Sequence, residues 1–453
     1  MSRGVIHISA PHVRHVESEI FGEAVRLAAD VSMTNPNTGV FETRELHYDF
    51  ERRYEEYLCP ERSDTFVMGL MSTGLENGYD IEFEAPMTER LFQQMNDDYI
   101  PLMAKYNANF PLYPMKLIGK TTDESLQKVS GGGGAATGCS CGVDSFYTIY
   151  TKTRCSVKKY NLTHLLVSST GFHDTNDDRE AIAKEFTKIL HRVKSLAQNI
   201  GLDTLGCFTN LDTFYKFFQP PYVAFYYFYA TNLGSIAFAL QKFLDVYYHS
   251  SAYSYEDLAL HKLMSYGGSL DGSFFDLFAL PCMSTQNLTF YSCDSGKTRV
   301  EKEAAIADFE PAQKYLSVCS DEQDGGDNHG MNNCSHCEKC LRTMAGFYAL
   351  GKLDNFSKVF DVQGYKKDLS RRLGWWLGSK NGAFQREFLD YAAQNNVHIP
   401  AGVYVWKGIA KFWKAMYKVF GNVRFIRKIL YALKLDYLIK GYRSGYAHKK
   451  YGV

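Results

Sequence analysis

Two short stretches hold residues whose types and spacing can do chemistry. The first is Thr137-Gly138-Cys139-Ser140-Cys141-Gly142-Val143-Asp144-Ser145-Phe146, which follows four consecutive glycines, Gly131 to Gly134. Small side chains let backbone N–H groups approach an anion, and a helix N-terminus adds a positive partial charge. Phe146, Ile149 and Tyr150 recur at helical spacing after the loop, so the stretch reads as strand, small-residue loop, helix start. Ser140, Cys141, Gly142, Val143, Asp144 and Ser145 are therefore expected to surround a pyrophosphate, with a hydroxyl at each end of the loop.

The second stretch is Cys334-Ser335-His336-Cys337-Glu338-Lys339-Cys340, with Cys319 upstream. Tetrahedral zinc takes four soft ligands, and two-residue gaps let one turn supply several of them. Gly325, Gly326 and Gly330 suit a connection that folds back. Met344, Phe347 and Leu350 continue at helical spacing, so a metal here would anchor a helix. Four protein ligands leave no open position, which makes the expected zinc structural. A [4Fe–4S] cluster and a metal-free thiol cluster are the competing readings.

A third stretch, Asp294-Ser295-Gly296-Lys297-Thr298-Arg299-Val300-Glu301-Lys302, ends like a nucleotide-binding P-loop but has Tyr291 where that motif needs glycine. Arg299 and Lys302 remain candidates for neutralising polyphosphate charge. A solvated loop is the plain alternative.

The loop of residues 140–145 resembles the Ser-Gly-Gly-x-Asp-Ser signature of the PP-loop ATP pyrophosphatase superfamily, with Ser140, Gly142, Asp144 and Ser145 at matching positions. Cys141 departs from the pattern, standing where the signature has glycine. The order of loop and cysteine cluster resembles that of the 7-cyano-7-deazaguanine synthase family. The chain as a whole resembles, more loosely, ATP-dependent epimerases acting on UDP-N-acetylmuramoyl-L-alanyl-L-glutamate. The resemblance covers about residues 131–351. It implies cleavage of ATP to AMP and pyrophosphate, with Mg²⁺ on the phosphates and adenylation of a substrate oxygen. On this reading the substrate is a small-molecule or peptide carboxylate, activated for amide formation, epimerisation or hydrolysis. Asp144, Arg299 and Lys302 carry the catalytic expectation. RNA thiolation, which other members of the superfamily perform, and a degenerate nucleotide-binding scaffold are the alternative functions.

The elements that must position these residues are readable in outline. From about residue 125 to 350, strand candidates at 135–139, 164–168, 205–209, 245–248 and 288–291 alternate with helical patterns. One helix carries Ile182, Phe186, Ile189, Leu190 and Val193, with Asn176 or Asp177 as its cap and Gly201 at its end. Such alternation implies a parallel sheet with helices on both faces, and the resemblance makes it a Rossmann-like (HUP-type) α/β fold. Ligands in such sheets bind beyond the strand C-termini. The Ser140 loop, Ser168-Ser169-Thr170 and Thr209-Asn210 all fall at such ends, and Ser168 joins the binding set. Residues 1–124 read as a separate N-terminal α/β domain, with strands around Leu46–Phe50, Ile81–Phe83 and Met115–Ile118. A helix after Thr88 carries Leu91, Phe92, Met95 and Tyr99. His7, His12 and His15 are spaced too loosely for a helix-borne metal site.

Residues 351–453 read as a helical, basic C-terminal extension. From Ala401 onward there are 12 basic residues against one acid, Asp436, while the whole chain has 50 of each. The tail is thus +11 and the remainder −11 (12 − 1 and 38 − 49). An acidic body leaves no broad nucleic-acid surface outside the tail. Trp406, Ile409, Trp413 and Met416 recur at helical spacing between lysines. That helix either docks on the body or makes peripheral membrane contact. Tyr222–Leu240 runs without a charge, but its tyrosines and polar residues fit a helix buried against a sheet better than a membrane span. Eleven cysteines, an odd number, and no signal-peptide pattern imply a reducing, cytoplasmic setting.

Overall fold

The computed structural model describes residues 3–105, 112–129, 132–171, 179–217, 221–258, 272–319, 332–380 and 382–420. The chain is α/β and divides into two compact units. The first comprises Met1–Cys139, Thr151–Ser251 and Gly268–Asp294; the second comprises Ser140–Tyr150, Ala252–Gly267 and Ser295–Val453.

The first unit is built on one large mixed sheet. Its strands are β1 (Gly4–Ile8), β2 (His12–Ser18), β3 (Gly22–Thr34), β4 (Phe41–Glu51), β5 (Tyr79–Phe83), β6 (Met87–Thr88), β7 (Leu117–Ile118), β8 (Thr121–Thr122), β9 (Gly134–Gly138), β10 (His164–Ser168), β11 (Asp203–Thr209), β12 (Leu244–Ser250) and β13 (Thr289–Cys293). The order is β13-β12-β9-β10-β11-β4-β3-β1-β5-β7, with β2 also paired to β3 and β6-β8 forming a separate short pair. β13, β12, β9, β10 and β11 run parallel, as the alternation implies, and they match the five expected strands.

The expected boundary near residue 124 does not interrupt this sheet. β4 pairs antiparallel with β11, placing Asp49 opposite Phe208 and Tyr48 opposite Thr209. A parallel sheet ending at β11 would expose a row of unpaired backbone groups, and β4 covers it. The N-terminal strands thus extend the same sheet. Nor does the chain break near 350: Phe347 stacks on Phe356 with ring centroids 3.7 Å apart, across the turn at Gly351.

β9 is a strand of small residues at the centre of the five parallel strands. Gly134-Ala135-Ala136-Thr137-Gly138 leaves room for neighbouring aromatic rings. A Cβ on Gly134 would come within 2.7 Å of the Phe243 ring, and one on Gly138 within 3.0 Å of the Tyr247 hydroxyl. The Thr137 hydroxyl donates to the Tyr248 carbonyl at 2.8 Å, satisfying the one polar side chain there. β10 is flanked by the helix Arg179–Ile200, which buries Phe186, Leu190 and Val193 and ends at Gly201 with φ +71°. Its expected cap, Asn176 or Asp177, lies outside the described residues, as do Gly131, Gly325, Gly326 and Gly330.

Thr88 does precede a helix, Glu89–Gln94, but its hydroxyl donates to buried Asp64 at 2.6 Å instead of capping. The apolar spacing then continues through a π-helical turn, Met95–Tyr99, into Ile100–Lys105. His7 and His15 lie on β1 and β2 and pair at the surface with Glu84 and Glu55. The uncharged stretch after residue 220 forms the helix Pro221–Ala239. Its described part buries Phe228, Asn232, Ser235 and Ile236, and the Tyr48 hydroxyl donates to Ser235. No described helix is long and apolar enough to cross a membrane.

The second unit is mainly helical. Its described elements include the helices Arg299–Ile306, Glu338–Ala349, Leu369–Ser379, Ala383–Gln394 and Ala401–Phe420. Ala401–Phe420 packs on Leu369–Ser379 at close range. A Cβ on Gly374 would lie 2.6 Å from the Trp406 Cβ, and one on Gly378 would lie 2.6 Å from the Ala410 Cβ. The basic residues beyond Phe420 fall outside the described residues.

Candidate functional site

The loop leaves β9 at Gly138 and enters the helix Val143–Lys152. Cys141 adopts φ +57°, a left-handed conformation that L-residues avoid and glycine accepts. Its carbonyl accepts from the Ser317 N–H at 2.8 Å, and its side chain is fully buried. Val143 is likewise buried in the first helical turn. Cys141 and Val143 thus bury their side chains. A buried thiol at Cys141 is a poor nucleophile.

Ser140 is exposed at the loop tip, and its hydroxyl lies 3.2 Å from that of Ser145. The Ser145 hydroxyl accepts from the Ser140 N–H, and the Ser140 hydroxyl from the Gly142 N–H, each at 3.3 Å. The Phe146 N–H then donates to the Gly142 carbonyl at 2.9 Å, so the helix is under way within one turn. The two hydroxyls expected at the ends of the loop therefore meet.

Asp144 lies in the first turn, where a carboxylate favours the helix dipole. Arg299 and Lys302 converge on it. The Arg299 guanidinium donates at 2.5 Å to one oxygen, and the Lys302 ammonium reaches the other at 3.3 Å. The two cations are 6% and 1% exposed and Asp144 is 23% exposed, so the pair is screened weakly. Burial opposes ionisation of Asp144, but the charges of Arg299, Lys302 and Arg342 outweigh it and hold the carboxyl below its usual range. The sequence called all three residues, and the second unit brings them together.

Arg299 and Lys302 are presented by a short helix with a complete capping box. Thr298 accepts from the Glu301 N–H, and Glu301 accepts from the Thr298 N–H at 2.8 Å. Lys297 pairs with Glu301 at the surface and takes no part in the Asp144 cluster.

Behind the cations lies a group of carboxylates that the sequence reading missed. Glu303, 1% exposed, stands 3.4 Å from the Arg299 Nε and fills the space over Gly346. Glu387 accepts from the Arg299 N–H at 2.8 Å. Burial pushes Glu303 up to about 8; burial together with Asp257 pushes Glu387 up to about 8. Arg342 lies over the Phe384 ring at 4.1 Å. Burial thus favours the neutral carboxyl at Glu303 and at Glu387. The balance around Asp144 is positive, which suits a polyphosphate. The Arg299–Glu303 spacing of four was a usable signal; nothing in sequence pointed to Glu387 or Asp257.

The four cysteines also meet. Cys319, Cys334, Cys337 and Cys340 place their sulfurs within 4.8 Å of one another. Cys319–Cys337 is 4.0 Å and Cys334–Cys340 is 3.8 Å. Sulfurs about 2.3 Å from a tetrahedral zinc lie about 3.8 Å apart, so the set fits that ion. The Cys334 sulfur accepts from the Cys337 N–H at 3.3 Å, and the Cys337 sulfur from the Cys340 N–H at 3.5 Å. Sulfurs that receive N–H groups are suited to the thiolate form. Asn333, 2% exposed, brackets the cluster. Its oxygen accepts from the Val318 and Cys319 N–H groups, and its amide donates to the carbonyls of Leu316 and Val359. No sequence rule marked Asn333.

Ser168 belongs to the first unit. Its hydroxyl donates to Thr170 at 2.8 Å and accepts from the Thr170 N–H. The Thr209 N–H donates to the Ser169 hydroxyl at 2.9 Å, so the expected convergence of these two strand ends is present within that unit. Asp212 accepts there from the Gly171 N–H, and burial pushes its carboxyl up to about 7. Beyond β12, the Tyr229 hydroxyl donates to fully buried Asp276 at 2.9 Å, with His249 3.5 Å from the same carboxylate. Burial pushes His249 down to about 4. These groups come from three separate elements and left no sequence signal.

Comparison of the chain with protein-family models, with curated proteins and with solved structures finds no match.

Proposed function

We propose that this protein is an ATP-dependent adenylating enzyme of the PP-loop ATP pyrophosphatase type, cleaving ATP to AMP and pyrophosphate to activate a substrate carboxylate. The observation that carries the reading is the convergence of Arg299 and Lys302 on Asp144, in the first turn of the helix that the Ser140–Ser145 loop opens. The loop offers main-chain N–H groups and two hydroxyls to a pyrophosphate, and the cations offset the charge that develops on the leaving group.

Strand order adds support. Numbered from β9, the five parallel strands run 3-2-1-4-5, and β9 and β12 stand where the order reverses. This order is compatible with a Rossmann-like reading, in which ligands bind beyond the strand C-termini at the reversal. The loop begins directly after β9.

Mg²⁺ would be held by Asp144 together with the phosphates, since this ion needs few protein carboxylates and keeps several waters. Bound there, it would neutralise phosphate charge. The four cysteines would hold zinc as a structural ion, fixing the start of the helix Glu338–Ala349 and with it Arg342. The substrate is proposed to be a small-molecule or peptide carboxylate, in a cytoplasmic setting. Amide formation and epimerisation are both compatible with an acyl-adenylate.

Asp144→Ala and Ser145→Ala test the reading. Each is expected to lower AMP and pyrophosphate formation by at least about 100-fold, in the range seen when one charge-stabilising group is removed. Turnover at the parent rate in both variants would refute it.

A further inference from the structure

The helix Ala401–Phe420 has two apolar faces. Val403, Trp406 and Ala410 face Leu369–Ser379, where Gly374 and Gly378 let the backbones approach. The second face turns to solvent. Tyr404 is 54% exposed, Val405 63% and Phe412 61%; Gly408 lies between them and Ala415 follows Phe412, all at helical spacing. Among the described residues these are three of the most exposed large apolar side chains, and they form one stripe.

Charge is arranged along this stripe. Lys407, Lys411 and Lys414 recur at intervals of four and three, and so line one side of the helix. No acidic residue occurs between Ala401 and Phe420. The sequence after Phe420 adds eight basic residues and only Asp436, so positive charge continues beyond the helix. The helix is neither apolar enough nor uncharged enough to cross a bilayer.

We infer that this face is a membrane-surface site that docks the protein on an anionic lipid bilayer. Tyr404, Val405 and Phe412 enter the headgroup boundary while the lysine row meets lipid phosphates and carboxylates. A helix lying in the interface buries such a face about 5–10 Å into the headgroup region, and anionic lipid strengthens binding through the adjacent lysines. The opposite face stays packed on Leu369–Ser379, so docking needs no unfolding. This site is independent of the nucleotide chemistry.

Vesicle flotation of the full-length protein tests the inference. Vesicles of phosphatidylcholine alone are compared with vesicles also containing phosphatidylserine. The parent is expected to float with the anionic vesicles and to be released by salt. Val405→Asp combined with Phe412→Asp alters only exposed positions, and should weaken binding at least about tenfold, which corresponds to about 1.4 kcal/mol. Lys411→Glu with Lys414→Glu should do the same, with circular dichroism confirming an intact fold. Three outcomes would overturn the inference. The parent could fail to float. The Val405/Phe412 variant could bind as well as the parent, which would assign lipid binding to the tail alone. Or light scattering could show a dimer that the variant abolishes, which would assign the face to a second copy.

Discussion

Cys141 shows how a single residue limits the loop. Its φ of +57° is the conformation that a glycine at this position would adopt freely, and an L-residue there costs roughly 1–2 kcal/mol. The buried thiol offsets part of that cost. Cys141→Gly should therefore keep thermal stability close to that of the parent, because relieved strain and lost burial oppose each other. Cys141→Val should lower it by roughly 2 kcal/mol or more, since a β-branched residue is a genuine outlier at positive φ. Thermal denaturation of the two variants checks this, and equal stability of the valine variant and the parent would contradict it. The sequence marked position 141 as the departure from a glycine pattern, but could not tell whether the backbone had changed. The structure keeps the glycine-like backbone and turns the new side chain inward.

At the scale of elements, the cysteine cluster and the loop are mechanically joined. The Cys141 carbonyl is held by the Ser317 N–H, and Cys319 follows two residues later. Asn333 ties the Val318–Cys319 backbone to Leu316 and Val359. Treatment with a chelator, or replacing Cys337 by Ser, should release both the helix Glu338–Ala349 and the Ser317 anchor. The expected result is loss of about one zinc per chain, a lower unfolding temperature and weaker ATP binding together. Unchanged ATP affinity in a zinc-free, folded protein would show that the two are uncoupled.

Legibility at this scale followed the physics of each element. The five parallel strands are short apolar runs between amphipathic helices, and their positions were readable to within about two residues. β1, β2 and β3 escaped notice. In β3, Ala24, Val25, Leu27, Ala28 and Ala29 are all fully or almost fully buried, so no alternation marks a strand. The continuity of the sheet through β4 and β11 depends on long-range pairing, which local pattern does not encode.

For the molecule as a whole, buried ionisable groups set the pH range of stability. Glu303 and Glu387 have carboxyls raised to about 8 from an ordinary 4.5. Their contribution is fully present below about 4.5 and is lost as pH rises through about 8. His47, His164 and His249 are pushed by burial down to about 3, 4 and 4 from 6.5. Their contribution is present above about 6.5 and is lost as pH falls toward about 4. The unfolding temperature should therefore peak at about pH 5–7 and fall on both sides. Glu303→Gln should flatten the alkaline side, because its amide cannot ionise. An alkaline limb identical to that of the parent would remove Glu303 from the account.

The proposed activity turns on cleavage of ATP between its α and β phosphates. The most direct measurement is to incubate the protein with ATP, Mg²⁺ and a small-molecule cell extract, and to follow nucleotides and metabolites by mass spectrometry. The expected products are AMP and pyrophosphate in equal amounts and a changed carboxylate-bearing metabolite, with all three signals lost in Asp144→Ala. Formation of ADP and phosphate instead, or AMP formation that survives Asp144→Ala, would contradict it.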